Sequence, residues 1–148
     1  MNVLKTDYRL DVRALILPFA LTLLGLVVAV QIVIMVNGNQ IGLVENLLLA
    51  AVAGYYAYVL ITRGTRLRQI RFGMLVTHAT AYTIVNLSYL LHAFVLIVAN
   101  SPAIRGDSNF LMNEGWFGVT FGMATGWGIG LLIHAFASVA SRGWEEHP

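Results

Sequence analysis

Two histidines and a file of glycines are the residues best suited to chemistry in this chain. Gly118, Gly122, Gly126, Gly130 and His134 stand four apart, with Trp127 and Gly128 completing the string Gly126-Trp127-Gly128-Ile129-Gly130. On a helix, residues four apart lie nearly above one another, so the glycines are expected to form a groove that His134 closes. Such a groove admits a second helix at short distance or a flat ligand. A second file precedes it: His78, Tyr82, Asn86 and Tyr89 recur at helical spacing. If the segments holding His78 and His134 cross a bilayer in opposite senses, both histidines lie within two turns of the same surface and share a depth. His92 stands 14 residues beyond His78, a rise of about 21 Å, and has no histidine opposite it.

Two neutral imidazoles at one depth on neighbouring helices are what bis-histidine ligation of haem b requires, and a related tetrapyrrole or quinone would use the same donors. Two histidines with no carboxylate beside them are a poor zinc site, because zinc takes three or four ligands. No metal ligand set is therefore assigned, and no catalytic residue. No segment pairs carboxylates or a nucleophile with a base, and Gly126-x-Gly128-x-Gly130 lacks the βαβ surroundings of a dinucleotide fingerprint. The other expectation is that the glycines serve helix packing, as small-xxx-small patterns do. Tyr82, Asn86, Gly118, Gly122, Gly126, Trp127 and Gly130 then form a packing seam, with Trp127 placed to donate to Asn86.

These residues need helices within a membrane to position them. Apolar residues make up 58% of the 148 and charged residues 11%, against about a quarter charged in soluble domains. Four apolar stretches, 14–36, 41–62, 72–100 and 116–141, each exceed the ~20 residues that cross a hydrocarbon core. The strict alternation of a β-barrel is absent. The expected fold is all-α and integral to the membrane, with four transmembrane helices in two antiparallel hairpins. Arg63, Arg66, Arg68 and Arg71 follow the second stretch, while the turn Asn37-Gly38-Asn39-Gln40 carries no charge. Positive charge gathers on the cytoplasmic side, so both termini are expected inside. The same arginines suit anionic lipid. They lack the interleaved aromatics of a nucleic-acid groove, so nucleic acid is not expected as a partner.

The organisation expected is an N-terminal arm and first hairpin over 1–62, a basic connection over 63–71 and a second hairpin over 72–148. The first span reads as lipid-facing, Glu45 as solvated at the outer surface, and Tyr55, Tyr56 and Tyr58 as an interfacial belt. Trp116 and Phe117 read as outer-interface residues and Trp144 as an inner one. With no cysteine, disulfides, thiolate metal sites and covalent c-type haem are ruled out.

The second half resembles the bacterial two-transmembrane domain family. The likeness rests on Thr77-His78, Tyr82, Asn86, Trp116-Phe117, Gly126-Trp127-Gly128-Ile129-Gly130-Leu131, His134 and Trp144-Glu145-Glu146, and covers about 72–146. The outer connection is longer here, and the segment 118–125 lacks the family's proline. The resemblance implies an architecture and a polar seam, and brings no biochemical activity with it. The functions expected are a small accessory, assembly or sensing subunit of a prokaryotic cytoplasmic membrane, partnered by lipid and by other subunits or itself, or an electron-transfer subunit holding haem b between His78 and His134.

Overall fold

A computed structural model describes residues 12–70, 72–106 and 112–140, with the side chains of residues 12 and 13 excepted. The N-terminal arm, Arg71, Asp107, Asn109 and the tail from residue 141, with Trp144, Glu145 and Glu146, lie outside the described residues. The described residues are helical with no strand. Four helices are long and apolar enough to cross a membrane. They are α1 (Val12–Val36), α2 (Leu43–Gln69), α3 (Gly73–Val98) and α4 (Glu114–Ala140).

Short connections dictate which helices meet. Asn39 takes a left-handed φ of 61° and Gly38 one of 70°, conformations that asparagine and glycine adopt at little cost. They close the α1–α2 turn in a few residues. At the other end only Ile70 to Phe72 separates α2 from α3. The basic connection expected over 63–71 is therefore mostly helix, and Arg63, Arg66 and Arg68 ride on the last turns of α2. Gly73 opens α3 so close to the Leu67 carbonyl that an added Cβ would collide with it. The third connection carries a 3-10 turn (Pro102–Ile104), with Ser101 capping it.

The core corrects the expectation for α1. Phe19, Leu23, Val27, Val30 and Ile34 are all buried, at steps of three and four that place them on one stripe. α1 packs against both α2 and α3. The expected lipid-facing helix thus supplies as much of the hydrophobic core as α3 does, a role its sequence conceals because it is apolar on every face and shows no preferred side. Tyr55 and Tyr56 turn inward onto Phe19, with ring centroids 6.2 Å and 6.3 Å away. Of the expected belt only Tyr58 is exposed.

α4 is built differently. Between Glu114–Phe117 and Met123–Ala140 it passes through a π turn, Gly118–Gly122, in which the Met123 N–H reaches the Gly118 carbonyl five residues back. Such a turn inserts an extra residue and rotates the part of the helix beyond it. Trp116, Val119 and Thr120 are buried ahead of it or within it, and no residue from Met123 to Ala140 is. Trp116 has no exposed surface, so it is a core residue and not the interfacial anchor expected. Its indole N–H donates to the Asn39 carbonyl at 2.9 Å, which satisfies the one polar atom it buries.

Candidate functional site

α3 and α4 bring His78 and His134 together, as their shared depth led one to expect. The rings stack face to face with centroids 4.3 Å apart and planes 15° from parallel. His78 is buried and His134 exposed. The Nδ1 of His78 is hydrogen-bonded to the Tyr56 hydroxyl of α2, and its Nε2 is buried without a partner. Trp127 completes the group, 5.5 Å from the Tyr56 ring and 6.5 Å, edge to face, from Tyr82. Tyr56 does not stand out in the sequence as a polar partner, since beside Tyr55 and Tyr58 it reads as one of a belt.

Asn86 is the second polar residue of the seam. Its Nδ2 donates back to the Tyr82 carbonyl at 3.0 Å, and its Oδ1 is buried and unpartnered. The bond expected from Trp127 is not formed. Thr77, buried beside His78, donates to the Gly73 carbonyl at 2.8 Å.

The glycine file does not join this seam. A Cβ built on Gly118, Gly122, Gly126 or Gly130 has no neighbour within 4 Å, whereas one on Gly128 lies 3.4 Å from the Tyr82 hydroxyl. Gly118, Gly122 and Gly126 are exposed. The physical reason is rotation. Four residues advance an α-helix by about 400°, so each step of the file drifts about 40°, and the π turn adds its own twist. From Gly122 to His134 the drift reaches about 120°, enough to swing the file from the outside of α4 round to α3. Trp127 and His134 are seven apart, within about 20° of one face, and both meet α3. The expected seam of Gly118, Gly122, Gly126 and Gly130 with Tyr82 is therefore not formed, and Gly128, outside that file, is the glycine that meets Tyr82.

The stacked pair does not suit a tetrapyrrole. Axial ligands point their nitrogens at one another across an iron, end-on to it. Here the rings lie face against face at contact distance, with no space for a macrocycle between them. Among the described residues no three His, Cys, Asp or Glu side chains group as metal ligands.

A second polar cluster, which sequence reasoning missed, lies at the end of the bundle with the α1–α2 turn. Glu45 is buried, 5% exposed, where solvation was expected. It accepts from Asn37 Nδ2 at 2.6 Å and from the Gly42 N–H at 3.0 Å. The second bond caps the start of α2, three residues ahead of the carboxylate. His92 meets Gln31 of α1 and Asn39 of the turn. The signal available was Gln31, a lone amide in an apolar helix, together with the asparagines of the turn. At the opposite end Arg66 and Arg68 are exposed and Arg63 half-buried. Arg68 lines a shallow cavity of about 210 Å³ with Leu67, Gly73 and Ser138.

Comparison with family models, with curated proteins and with solved structures found no match.

Proposed function

We propose that this chain is a small membrane accessory or assembly subunit, without catalysis of its own, whose working surface is the outward glycine face of α4. One observation carries the reading. Four glycines stand along α4 where an added Cβ would meet nothing within 4 Å, and three of them, Gly118, Gly122 and Gly126, are exposed. Each glycine costs a helix about 1 kcal/mol relative to alanine, so four cost roughly 3–4 kcal/mol. Lipid returns none of that, because an acyl chain packs against leucine as well as it does against glycine. A second helix does return it, since small residues let two backbones approach and gain dispersion contact. The occupant is a helix of another subunit or of a second copy.

The reading includes the orientation. The pairs His78–His134 and Tyr82–Trp127 run in opposite chain order, which supports α3 and α4 as an antiparallel hairpin. The α1–α2 pair forms the other. Arg63, Arg66 and Arg68 then place their end, and both termini, in the cytoplasm of a prokaryote, with Arg68 and its cavity set among anionic headgroups. The likeness of 72–146 to the two-transmembrane domain family belongs to the same proposal, since it offers an architecture and a seam in place of a reaction.

The test is the mass of the protein purified in mild detergent. The wild type is expected as an oligomer or with a co-purifying membrane protein, and Gly122→Leu and Gly126→Leu as the released monomer with unchanged helicity. A wild type that is monomeric and alone, as the variants are, would remove the proposal.

A further inference from the structure

His92 stands apart from the glycine face and from the stacked pair. Its Nδ1 lies 2.7 Å from Gln31 Oε1 on α1, and its Nε2 lies 2.9 Å from Asn39 Oδ1 in the α1–α2 turn. Its ring stands nearly perpendicular to that of buried Trp116 on α4, centroids 5.0 Å apart and planes at 68°. Trp116 in turn donates to the main-chain carbonyl of the same Asn39. One half-buried imidazole on α3 is thus in touch with α1, α4 and the turn that leads to α2.

The bonds around it fix one nitrogen and leave the other open. The Ser88 hydroxyl donates its only hydrogen to the Val85 carbonyl at 2.7 Å, so it accepts from Gln31 Nε2 at 3.3 Å. Gln31 therefore offers His92 its oxygen, which only accepts, and Nδ1 carries a hydrogen whatever the charge on the ring. Nε2 then distinguishes the two forms. In a neutral ring it accepts and needs a donor, and in an imidazolium it donates and needs an acceptor. The Asn39 amide holds both groups. It reverses by a half-turn of its terminal torsion, a broad two-fold one, while its main chain stays held by Trp116.

We infer that His92, Asn39, Gln31 and Trp116 form a proton-operated clasp that is satisfied in both charge states, with Asn39 in opposite orientations. The charged setting makes two charge-assisted bonds, roughly twice as strong as neutral ones. It tightens the turn onto α3 and α4, and the neutral setting relaxes it. The other ionisable groups at this end are accounted for. α2 presents Glu45, held by Asn37 and Gly42. α3 presents buried Tyr89, and α4 begins with exposed Glu114. Exposed Arg105 in the third connection is bound to Asn100, and α1 brings only the Gln31 amide. Asp107 lies outside the described residues.

Trp116 supplies the readout, because an imidazolium quenches a neighbouring indole more strongly than a neutral imidazole does. The protein has three tryptophans, so Trp127→Phe with Trp144→Phe leaves Trp116 alone. Its fluorescence in the full chain, titrated from about pH 8 to pH 5 across the range where histidine gains its charge, is expected to fall along a one-proton curve. The curve should vanish in His92→Gln, which keeps an amide in the place of the ring. Asn39→Asp, whose side chain only accepts, should move the midpoint by roughly one pH unit or more. A flat signal in folded protein overturns the inference. So does an unchanged curve in His92→Gln. If His92→Gln does not fold, a midpoint unmoved by Asn39→Asp overturns it alone.

Discussion

Leucine at Gly128 and leucine at Gly126 should do opposite things, and the contrast separates the fold from the assembly. At Gly128 an added Cβ would stand 3.4 Å from the Tyr82 hydroxyl and 3.6 Å and 3.8 Å from two ring carbons. Alanine therefore just reaches van der Waals contact. The three further heavy atoms of leucine must enter space that Tyr82 holds, with Trp127 fixed edge-to-face against it. Overpacking of this kind costs about 1–3 kcal/mol, offset in part by the ~0.8 kcal/mol that leucine gains over glycine in a helix. A net loss of about 1–2 kcal/mol is expected. At Gly126 the side chain meets nothing within 4 Å, so only the propensity gain remains and the isolated chain should become slightly more stable. The assay is thermal unfolding in a detergent that disperses the assembly, followed by helical circular dichroism. The melting order expected is Gly128→Leu lowest, then wild type, then Gly126→Leu. If Gly126→Leu melts below Gly128→Leu in dispersed protein, the glycine file faces α3 after all and the outward surface does not exist.

Three further substitutions test the surrounding packing. Phe19→Ala should cost about 3–5 kcal/mol, since Phe19 is 1% exposed between Tyr55 and Tyr56, while exposed Phe136→Ala should cost little. A melting comparison of the two shows whether α1 is core or lipid-facing. Gly115→Ala should loosen the end of the bundle with the α1–α2 turn, because the new Cβ would stand 2.7 Å from the Ile41 carbonyl oxygen, and faster proteolysis of the third connection would report it. An absorption spectrum should show no Soret band in wild type, and the same colourless spectrum in His78→Ala and His134→Ala. A band lost in either variant would restore the haem reading.

Much of this arrangement is legible along the chain, and the part that is not has a common cause. The four spans are visible because a length of apolar sequence is a local property, and the histidine pair because depth follows from counting inward from each helix end. Rotation about the helix axis is harder to read. Apolar residues surround α1 on every side, and Gln31 alone in its sequence marks the face that turns inward. The polar residues that mark a face elsewhere, His78, Asn86 and Trp127, were sound guides. The glycine file misled because a spacing of four is not the period of the helix, and its 40° drift compounds with a π turn that no residue type announces. The cluster at the α1–α2 turn escaped for a different reason. Gln31 and His92 are 61 residues apart, and Asn39 and Trp116 are 77 apart, so each looks like a lone polar residue until α1 is packed against α3.

Single cysteines along α4 test the central claim most directly, since the native chain has no cysteine to interfere. Cysteine is placed in turn at Gly118, Gly122, Gly126 and Gly128, and oxidative cross-linking is carried out in native membranes with a short bifunctional thiol–amine reagent alongside. The first three positions should give a discrete species of higher mass, a doublet of this chain or its adduct with one partner, and Gly128 should give none. Uniform absence of cross-links at 118, 122 and 126, with the same cysteines freely labelled by a lipid-soluble maleimide, would mean that the glycine face meets lipid alone.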